Sequence, residues 1–496
     1  MSEFITLVER EETPLWVVLA IQGFSDRDAF ERATDVDFQL EKYRFTGRFH
    51  EIGLLDLERL SGVIESKFAS EGEKYFDWYE ETCRQSCSAL YNTAFELAKL
   101  PPAKANNEIG TRLARYFAAT HQCMPFLLSI FPVQGLLSKE LGQAIEPLVT
   151  QTDLSIDTAL ALLSAPNTPT AVELDSQGLA EIAQDVRLNT QLSEAIVDPG
   201  RSARLAMEYP EFYARLEEHC KNYGWLRTFT FRNRPYTIDD LLLRLRDRVW
   251  RLDRVPDLHT VSSTPEKDEM NQVRSIEAQL DQHGASLLQL ARKYATLRFF
   301  RVDVHFMSAA KIVTLLDETA ARLNIGFELL PYLTDREILT GISGSTDDLS
   351  NLATLRKTMG FDVQLQDDKS IAVTSPSVPK PVSVERQGLL EGVSACLGSW
   401  SGRVRIVRTS ADCADFDRGD ILVSPMTTPE FMSAIERAGA IVTDEGGVLC
   451  HAAIISRELN IPCVIGTGMA SHVLRAGEMI SVTAQSDKGI VTREDF

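Results

Sequence analysis

The sequence has few cysteines and no long apolar run. Eight cysteines are scattered over 496 residues. Only Cys83 and Cys87 lie one helical turn apart, and no second pair or nearby histidine completes a zinc site with them. The longest apolar run, 124–137, is interrupted by a proline and a glutamine and is too short to span a bilayer. Acidic residues precede the apolar stretch 16–21, so the pattern of a signal peptide is missing. We therefore expect a cytoplasmic protein with reduced thiols and no metal site.

Basic residues are also outnumbered. The chain has 71 Asp and Glu against 51 Lys and Arg, which gives a formal net charge of -20. Because nucleic acids and anionic membranes are bound chiefly through Lys and Arg, we expect neither of them as a partner. Internal repeats and low-complexity segments are lacking too. The length suggests two or three domains with sizeable cores.

Residues 1–375 have the pattern of a largely α-helical region. Residues 361–365 and 371–374 are typical of a small β-hairpin. The pattern leaves open a division into two subdomains near 255–270. Residues 376–387 contain three spaced prolines and predict a semi-rigid hinge. Apolar residues recur at helical spacing in the stretches 76–100, 109–126, 179–196, 210–223, 239–252, 268–294 and 306–323.

A histidine near the C-terminus is expected to begin a helix. Residues 440–442 are typical of a buried strand, Gly446 and Gly447 allow a sharp turn, and residues 452–459 favour a helix. His451 therefore lies where unpaired N–H groups and the positive end of the helix dipole favour an anion. An imidazole placed there can attack phosphorus and carry a phosphoryl group. On position alone, the alternative is a histidine that only caps or packs at the start of a helix.

The residues around this histidine resemble a known signature. Residues 446–466 read G-G-x-x-C-H-A-A-I-x-x-R-E-L-x-I-P-x-V-x-G. This string resembles the phosphohistidine signature of the mobile domain of the phosphoenolpyruvate-utilising enzymes, which include phosphoenolpyruvate synthase, pyruvate phosphate dikinase and rifampicin phosphotransferase. The resemblance covers 388–496 and departs from the family at the bulky Trp400. It implies a C-terminal swivelling domain of the β/β/α type in which His451 is phosphorylated. Three further segments carry the resemblance: 402–407, 420–423 and 427–429.

The same resemblance implies that Thr443, Gly446, Gly447 and Cys450 support the phosphoryl group. The hydroxyl of Thr443 is a possible donor to a phosphoryl oxygen, unless the residue only fits the end of its strand. The family has Ser, Thr or Cys before the histidine. A thiol at a helix N-terminus can be reactive, and a simple helix cap is the alternative for Cys450.

Shorter matches lie in the helical region. They resemble the helical segment that precedes the mobile domain in phosphoenolpyruvate-synthase-like proteins and in rifampicin phosphotransferase, and in the latter this region binds the acceptor. By analogy, residues 1–375 form the acceptor-binding domain. Arg234, Arg298 and Arg301 are candidates for binding the acceptor or the phosphoryl group, because Arg holds phosphate oxygens in a bidentate manner. His305 is a candidate general base. The alternative is that the arginines form surface ion pairs and that His305 has no chemical role. The matching segments are 223–226, 234–237, 239–242, 296–298 and 331–338.

Two parts of these relatives are not recognisable in the sequence. They are the ATP-grasp domain, which charges the histidine, and the C-terminal barrel, which binds phosphoenolpyruvate. The glycine loop 341–346 lacks the G-K-[ST] ending of a phosphate-binding loop. We therefore expect a separate ATP-grasp-type protein to phosphorylate His451. ATP and Mg²⁺ would be used through that partner, with no cofactor tightly bound to this chain.

The leading hypothesis is the acceptor half of a split phosphotransferase of the phosphoenolpyruvate-synthase-like or rifampicin-phosphotransferase-like class. His451 would pass the phosphoryl group to a small molecule held by the helical region. Three alternatives stay open. The first is a phosphohistidine relay or regulatory protein that docks a protein partner and has no small-molecule acceptor. The others are a complete enzyme with an unrecognised nucleotide site in 1–375, and a domain that keeps the fold without the chemistry.

Overall fold

The protein consists of two compact units, each built from three separate segments of the chain. Unit 1 comprises residues 1–143, 228–234 and 283–380, and unit 2 comprises 144–227, 235–282 and 381–496. The boundaries expected at 375 and 388 stay predictions. The expected hinge lies, beyond its first residue, outside the described residues. The structure, a computed structural model, describes residues 4–10, 12–166, 168–197, 202–228, 231–254, 267–345, 348–376, 389–447, 450–485 and 488–493.

The secondary structure comprises twelve strands and twenty α-helices over the described residues. The strands are β1 Phe4–Glu9, β2 Tyr43–Thr46, β3 Phe49–Gly53, β4 Asp362–Leu365, β5 Ile371–Thr374, β6 Leu389–Cys396, β7 Gly398–Ile406, β8 Ile421–Ser424, β9 Ala440–Thr443, β10 Cys463–Ile465, β11 Met479–Ala484 and β12 Gly489–Arg493. The helices are α1 Pro14–Ser25, α2 Arg27–Thr34, α3 Leu54–Glu71, α4 Glu73–Ala98, α5 Asn106–Cys123, α6 Pro125–Val149, α7 Ile156–Leu163, α8 Ala171–Leu188, α9 Thr190–Val197, α10 Ser202–Glu208, α11 Pro210–Tyr223, α12 Ile238–Arg254, α13 Lys267–Gln279, α14 Gln282–Lys311, α15 Val313–Arg322, α16 Asp335–Ile342, α17 Leu349–Met359, α18 Met432–Ile435, α19 His451–Leu459 and α20 Ala470–Val473.

Unit 1 combines an antiparallel sheet with a large helical core. The sheet has the strand order β1-β3-β2-β4-β5, and Phe45 of β2 lies opposite Val363 of β4. Helix α1 contains the apolar stretch at 16–21 and is buried along nearly its whole length. Its apolar residues therefore belong to the core of the unit. No described helix combines the length and the apolarity that crossing a lipid bilayer requires.

Unit 2 contains a seven-stranded sheet that closes on itself. The strand order is β10-β6-β12-β11-β7-β8-β9, with β9 next to β10. The pairs β7–β8, β8–β9 and β9–β10 are parallel, and the other neighbours are antiparallel. Because parallel strands end at the same edge, the loops after β8, β9 and β10 meet there, where open α/β sheets also bind ligands.

The helices of unit 2 form a core of their own. Leu179 of α8, Leu216 of α11 and Leu245 of α12 are fully buried in it. Helix α8 also packs against α19. Val172, at the start of α8, contacts the apolar core formed by α19 and strands of the closed sheet. The helix that begins at His451 therefore lies between the sheet and α8.

The predicted fold class is confirmed: a mostly helical region precedes a strand-rich C-terminal domain. The predicted hairpin forms as β4 and β5. Strands β1 to β3 were not predicted. The stretch 109–126 is divided between α5 and α6, because Pro125 lacks the N–H that would continue a helix and instead begins the next one. The predicted helical stretches 268–294 and 306–323 also had wrong ends, because α14 runs without a break through 282–311 and covers parts of both.

Trp400 fits the closed sheet because glycines surround it. Its indole N–H donates to the carbonyl oxygen of Gly419, at 2.8 Å. A Cβ atom at Gly439 would lie 1.9 Å from Trp400 Nε1, and one at Gly402 would lie 3.1 Å from the same atom. The bulky Trp400, which departs from the family, therefore fits because its neighbours are glycines and have no side chains.

Candidate functional site around His451

His451 is the first residue of helix α19, as the sequence predicts. Cys450 precedes it with extended backbone angles, and its Sγ accepts the N–H of Ala453 at 3.4 Å. The thiol thus caps the helix. Gly446 has a φ of 128°, and a Cβ atom there would lie 2.8 Å from Cys450 Sγ. The turn before the histidine therefore requires glycine at this position.

The imidazole of His451 is held through one of its two nitrogens. Its Nδ1 lies 2.8 Å from Oγ1 of Thr427, in the loop after β8. Its Nε2 is buried and has no hydrogen-bond partner among the described residues. When Nδ1 carries the proton and donates it to Thr427, Nε2 keeps its lone pair free. This tautomer leaves Nε2 able to attack phosphorus.

Burial also sets the charge of this imidazole. Removal of the ring from water lowers the pKa of His451 to about 4, because burial disfavours the charged form. The ring is therefore neutral at pH 7. A neutral ring is the nucleophilic form.

The two loops beside the histidine are tied together by Asp444. Its buried carboxylate accepts the N–H of Ser471 at 2.9 Å and the hydroxyl of Thr467 at 3.2 Å. The N–H of Thr467 donates to the carbonyl oxygen of Thr443 at 3.1 Å. The loops after β9 and β10 thus form one connected frame.

The other predicted support residues lie in or beside this frame. Thr443 is fully buried, and its hydroxyl donates to the carbonyl oxygen of Glu445 at 2.7 Å. In this arrangement the hydroxyl stabilises the turn. The carbonyl oxygen of Gly447 accepts the N–H of Cys450 at 2.8 Å, and no described residue has an atom within 4 Å of where its Cβ would be.

The four candidates of the helical region separate into two groups, all in unit 1. Arg234 forms a bidentate ion pair with Asp317 at 2.5 and 2.6 Å on the surface. Arg298 is half-buried and reaches Gln134 at 3.3 Å. Arg301 and His305 lie one turn apart on α14, are both buried, and line one cavity of about 150 Å³. The surface alternative thus describes Arg234, whereas Arg301 and His305 share a cavity.

Sequence reasoning missed two residues of the His451 site. Thr427 lies within the resembling segment 427–429, and its position after a parallel strand next to β9 was an available signal. Asp444 follows β9 directly, but its partners in the loop after β10 were not apparent. No group of three or more His, Cys, Asp and Glu side chains suited to a metal occurs among the described residues.

Comparison with known proteins fits this geometry. Residues 416–487 match the family described as PEP-utilising enzyme, mobile domain. This part of the chain is similar to the mobile domain of the PEP-utilising enzymes. The match includes Thr427 and His451, the two residues joined by the Nδ1 contact. The family resemblance predicted for the C-terminal region is thereby confirmed.

Curated relatives of the mobile domain bear phosphotransfer names. The chain is 42% identical over 133 residues to a probable phosphoenolpyruvate synthase of Methanothermobacter thermautotrophicus, which covers 27% of this chain and 19% of that protein. It is 44% identical over 133 residues to a probable phosphoenolpyruvate synthase of Archaeoglobus fulgidus (26% and 17%). It is 46% identical over 97 residues to the uncharacterized phosphotransferase YvkC of Bacillus subtilis (20% and 12%). The matched segment thus spans less than a fifth of each of these relatives.

If His451 accepts a phosphoryl group, replacing Thr427 with valine is expected to slow that reaction about two- to tenfold. Valine keeps the shape of threonine but cannot hold Nδ1, and one hydrogen bond contributes about 0.5–1.5 kcal/mol. Thr427→Ser keeps the hydroxyl and serves as the matched control. The measurement is the initial rate of label incorporation. Equal rates for Thr427→Val and the wild type would show that this contact does not orient the ring.

The pKa of His451 is expected to be measurable by NMR titration of its ring protons. A midpoint near 4 is expected in the folded protein, against about 6.5 for an ordinary histidine. Since the unfolded chain binds this proton at a higher pH than the folded chain does, His451 makes stability fall as pH drops from about 6.5 towards 4. The NMR signal of the His451 ring protons is identified by its absence from the spectrum of the His451→Gln variant. A midpoint near 6.5 would mean that the ring is not buried in solution.

Proposed function

We propose that this chain is a phosphotransferase component whose His451 carries a phosphoryl group. A separate nucleotide-binding protein of the ATP-grasp type supplies the group, using ATP and Mg²⁺. A small molecule bound by the helical region accepts it. The observation that carries the proposal is the contact between His451 Nδ1 and Thr427, which leaves Nε2 free within a mobile domain of the PEP-utilising family.

The chemistry takes place in two displacements at phosphorus. The lone pair of Nε2 forms an N–P bond while the P–O bond to the donor's leaving group breaks. The Nδ1 proton stays on the ring and donates to Thr427, which supports the positive charge on the phosphorylated imidazole. A carboxylate oxygen of the acceptor, or a hydroxyl oxygen that releases its proton to solvent, then forms a new P–O bond, and the N–P bond breaks. The histidine is thereby returned unchanged.

The site at the start of α19 suits this cycle. The N–H groups at the start of a helix and the helix dipole favour the added negative charge. The low pKa of His451, caused by burial, keeps the nucleophile neutral before attack. Since Nε2 is covered, the groups over it must move before a donor can reach phosphorylation distance. This requirement is compatible with a domain that moves between donor and acceptor.

The test is incubation of the full chain with candidate donors, followed by intact-mass analysis. The donors are ATP with Mg²⁺, with and without a candidate ATP-grasp protein, and phosphoenolpyruvate. We expect a gain of one phosphoryl group that is labile in acid and stable in alkali, and only in the presence of the ATP-grasp protein and ATP. Labelling from ATP alone would point to a nucleotide site within this chain. Transfer of the label to a protein in place of a small molecule would support the relay alternative.

A further inference from the structure

Unit 1 contains a partly open cavity of about 150 Å³ whose walls are mainly apolar. Helix α1 contributes Trp16 and Phe24, α6 contributes Leu127 and Phe131, and α14 contributes Phe306. One water molecule takes up about 30 Å³ in the liquid, so the space suits a molecule of roughly five to eight non-hydrogen atoms. The walls favour a ligand with an apolar body.

The charges that line this cavity do not cancel. Arg10 forms an ion pair with Glu12. Arg301 also lines the cavity and is only 7% exposed. It makes no hydrogen bond or ion pair with any residue that the structure describes, and its Nε is completely covered. A buried guanidinium stays protonated, and a buried charge without a counterion is strongly disfavoured. One positive charge is therefore left to be balanced.

The histidines in the walls add polar contacts but no charge. Burial lowers the pKa of His305 to about 4 and that of His50 well below its usual range. His50 Nδ1 contacts the hydroxyl of Tyr43. His305 Nε2 is buried without a hydrogen-bond partner among the described residues. Arg301 and His305 thus line the same space from successive turns of α14, and each has a buried nitrogen without a hydrogen-bond partner among the described residues.

The side chains behind Arg301 include one competing counterion. The hydroxyls of Tyr79 and Tyr294 are engaged by Ser129 and by the carbonyl oxygen of Ile130, and burial raises the pKa of both. Cys87 differs from them. Hydrogen bonds from Cys123 and Cys83, together with the nearby positive charge, lower its pKa. A thiolate at Cys87 and an anion in the cavity are therefore alternative ways to balance Arg301.

We propose that this cavity binds a small monocarboxylate with a branched or short apolar body, held through its carboxylate by Arg301 and His305. The site selects one negative charge, because Arg10 is already matched by Glu12. Its role as the acceptor site rests on the proposed function, whereas binding itself does not.

The experiment is titration calorimetry on the full chain with 3-methylbutanoate as the probe. The neutral isostere 3-methylbutanamide and the cation 3-methylbutylammonium are the ligand controls. A charge-assisted hydrogen bond contributes about 1.5–3 kcal/mol, so we expect the amide to bind about 10- to 100-fold more weakly than the carboxylate. The cation is expected not to bind. Equal affinity for carboxylate and amide would overturn the proposal.

Three variants locate the contact. Arg301→Met is expected to lose carboxylate binding while melting at an equal or higher temperature, because replacing an unmatched buried charge with an apolar side chain relieves its desolvation. Lys311→Met, an exposed residue at the end of the same helix, is expected to bind normally. Carboxylate binding by Arg301→Met would refute the assignment. Binding by Cys87→Ser but not by the wild type would show that the thiolate is the native counterion, which also refutes it.

This test is independent of phosphoryl transfer. It requires neither a donor protein nor His451, so binding of the carboxylate can succeed even if labelling of His451 fails. Labelling can likewise succeed in a protein that does not bind the carboxylate. The two proposals therefore fail separately.

Discussion

Replacing His451 with glutamine is expected to abolish phosphoryl transfer while leaving the protein folded. Glutamine has a similar reach and can still hydrogen bond to Thr427 through its amide. Its amide nitrogen has no available lone pair to attack phosphorus. Loss of a nucleophile that forms a covalent intermediate removes the reaction path itself, and drops of about 10⁴-fold or more are typical. We therefore expect label incorporation below detection.

The control for this substitution is His283→Gln, which removes an exposed histidine from unit 1. It is expected to incorporate label at the wild-type rate. Melting temperatures of both variants show whether the fold is intact. Acid-labile phosphate on a folded His451→Gln protein would place the carrier elsewhere and would end the proposed mechanism.

Replacing Glu436 with alanine is expected to destabilise unit 2 by about 3–5 kcal/mol, the usual cost of removing one partner of a buried ion pair. Glu436 is fully buried and lies 3.1 Å from both Arg244 and Arg248. Arg244 also binds Asp175 at 2.8 Å, and Asp175 lies 2.8 Å from Nε2 of His219. Although burial opposes it, the charge of Arg244 lowers the pKa of Asp175. The two carboxylates thus balance two guanidinium groups, and removal of one leaves a buried positive charge.

The measurement is the free energy of unfolding in urea, followed by a probe in unit 2. Glu391→Ala is the matched control, because Glu391 pairs with Lys488 at 2.8 Å on the surface. Exposed pairs contribute about 0–1 kcal/mol, so this variant is expected to be nearly neutral. Similar losses for Glu391→Ala and Glu436→Ala would show that the buried network does not stabilise the unit.

Much of the His451 site could be predicted because its signals are local. A strand, a glycine turn and a helix start lie within a few residues of His451, and backbone preferences alone define them. Thr427 was harder, because its contact with His451 depends on β8 and β9 being parallel neighbours. The local sequence does not indicate which strands pair with each other.

The cavity and the buried network depend on contacts between distant parts of the chain. Arg301 was one of several arginines with similar sequence surroundings, and only packing separates it from Arg298 on the same helix. Arg244 and Glu436 meet across a long stretch of intervening chain, so neither residue type nor spacing marks them as partners. The strand pairs of unit 1 join β2 to β4 in the same way. Long-range pairing of this kind leaves little trace in local hydrophobic patterns.

The buried ion pairs of Glu436 and Asp175 enlarge the part of the protein that would move together with a phosphorylated His451. Glu436 lies on the connection between β8 and β9, which also carries Thr427. Its buried pairs join that connection to α12, and Asp175 extends the join to α8. If the domain that carries His451 moves, α8 and α12 would therefore move with it. An isolated fragment limited to 388–496 would lack Arg244 and Arg248, the two arginines that pair with Glu436.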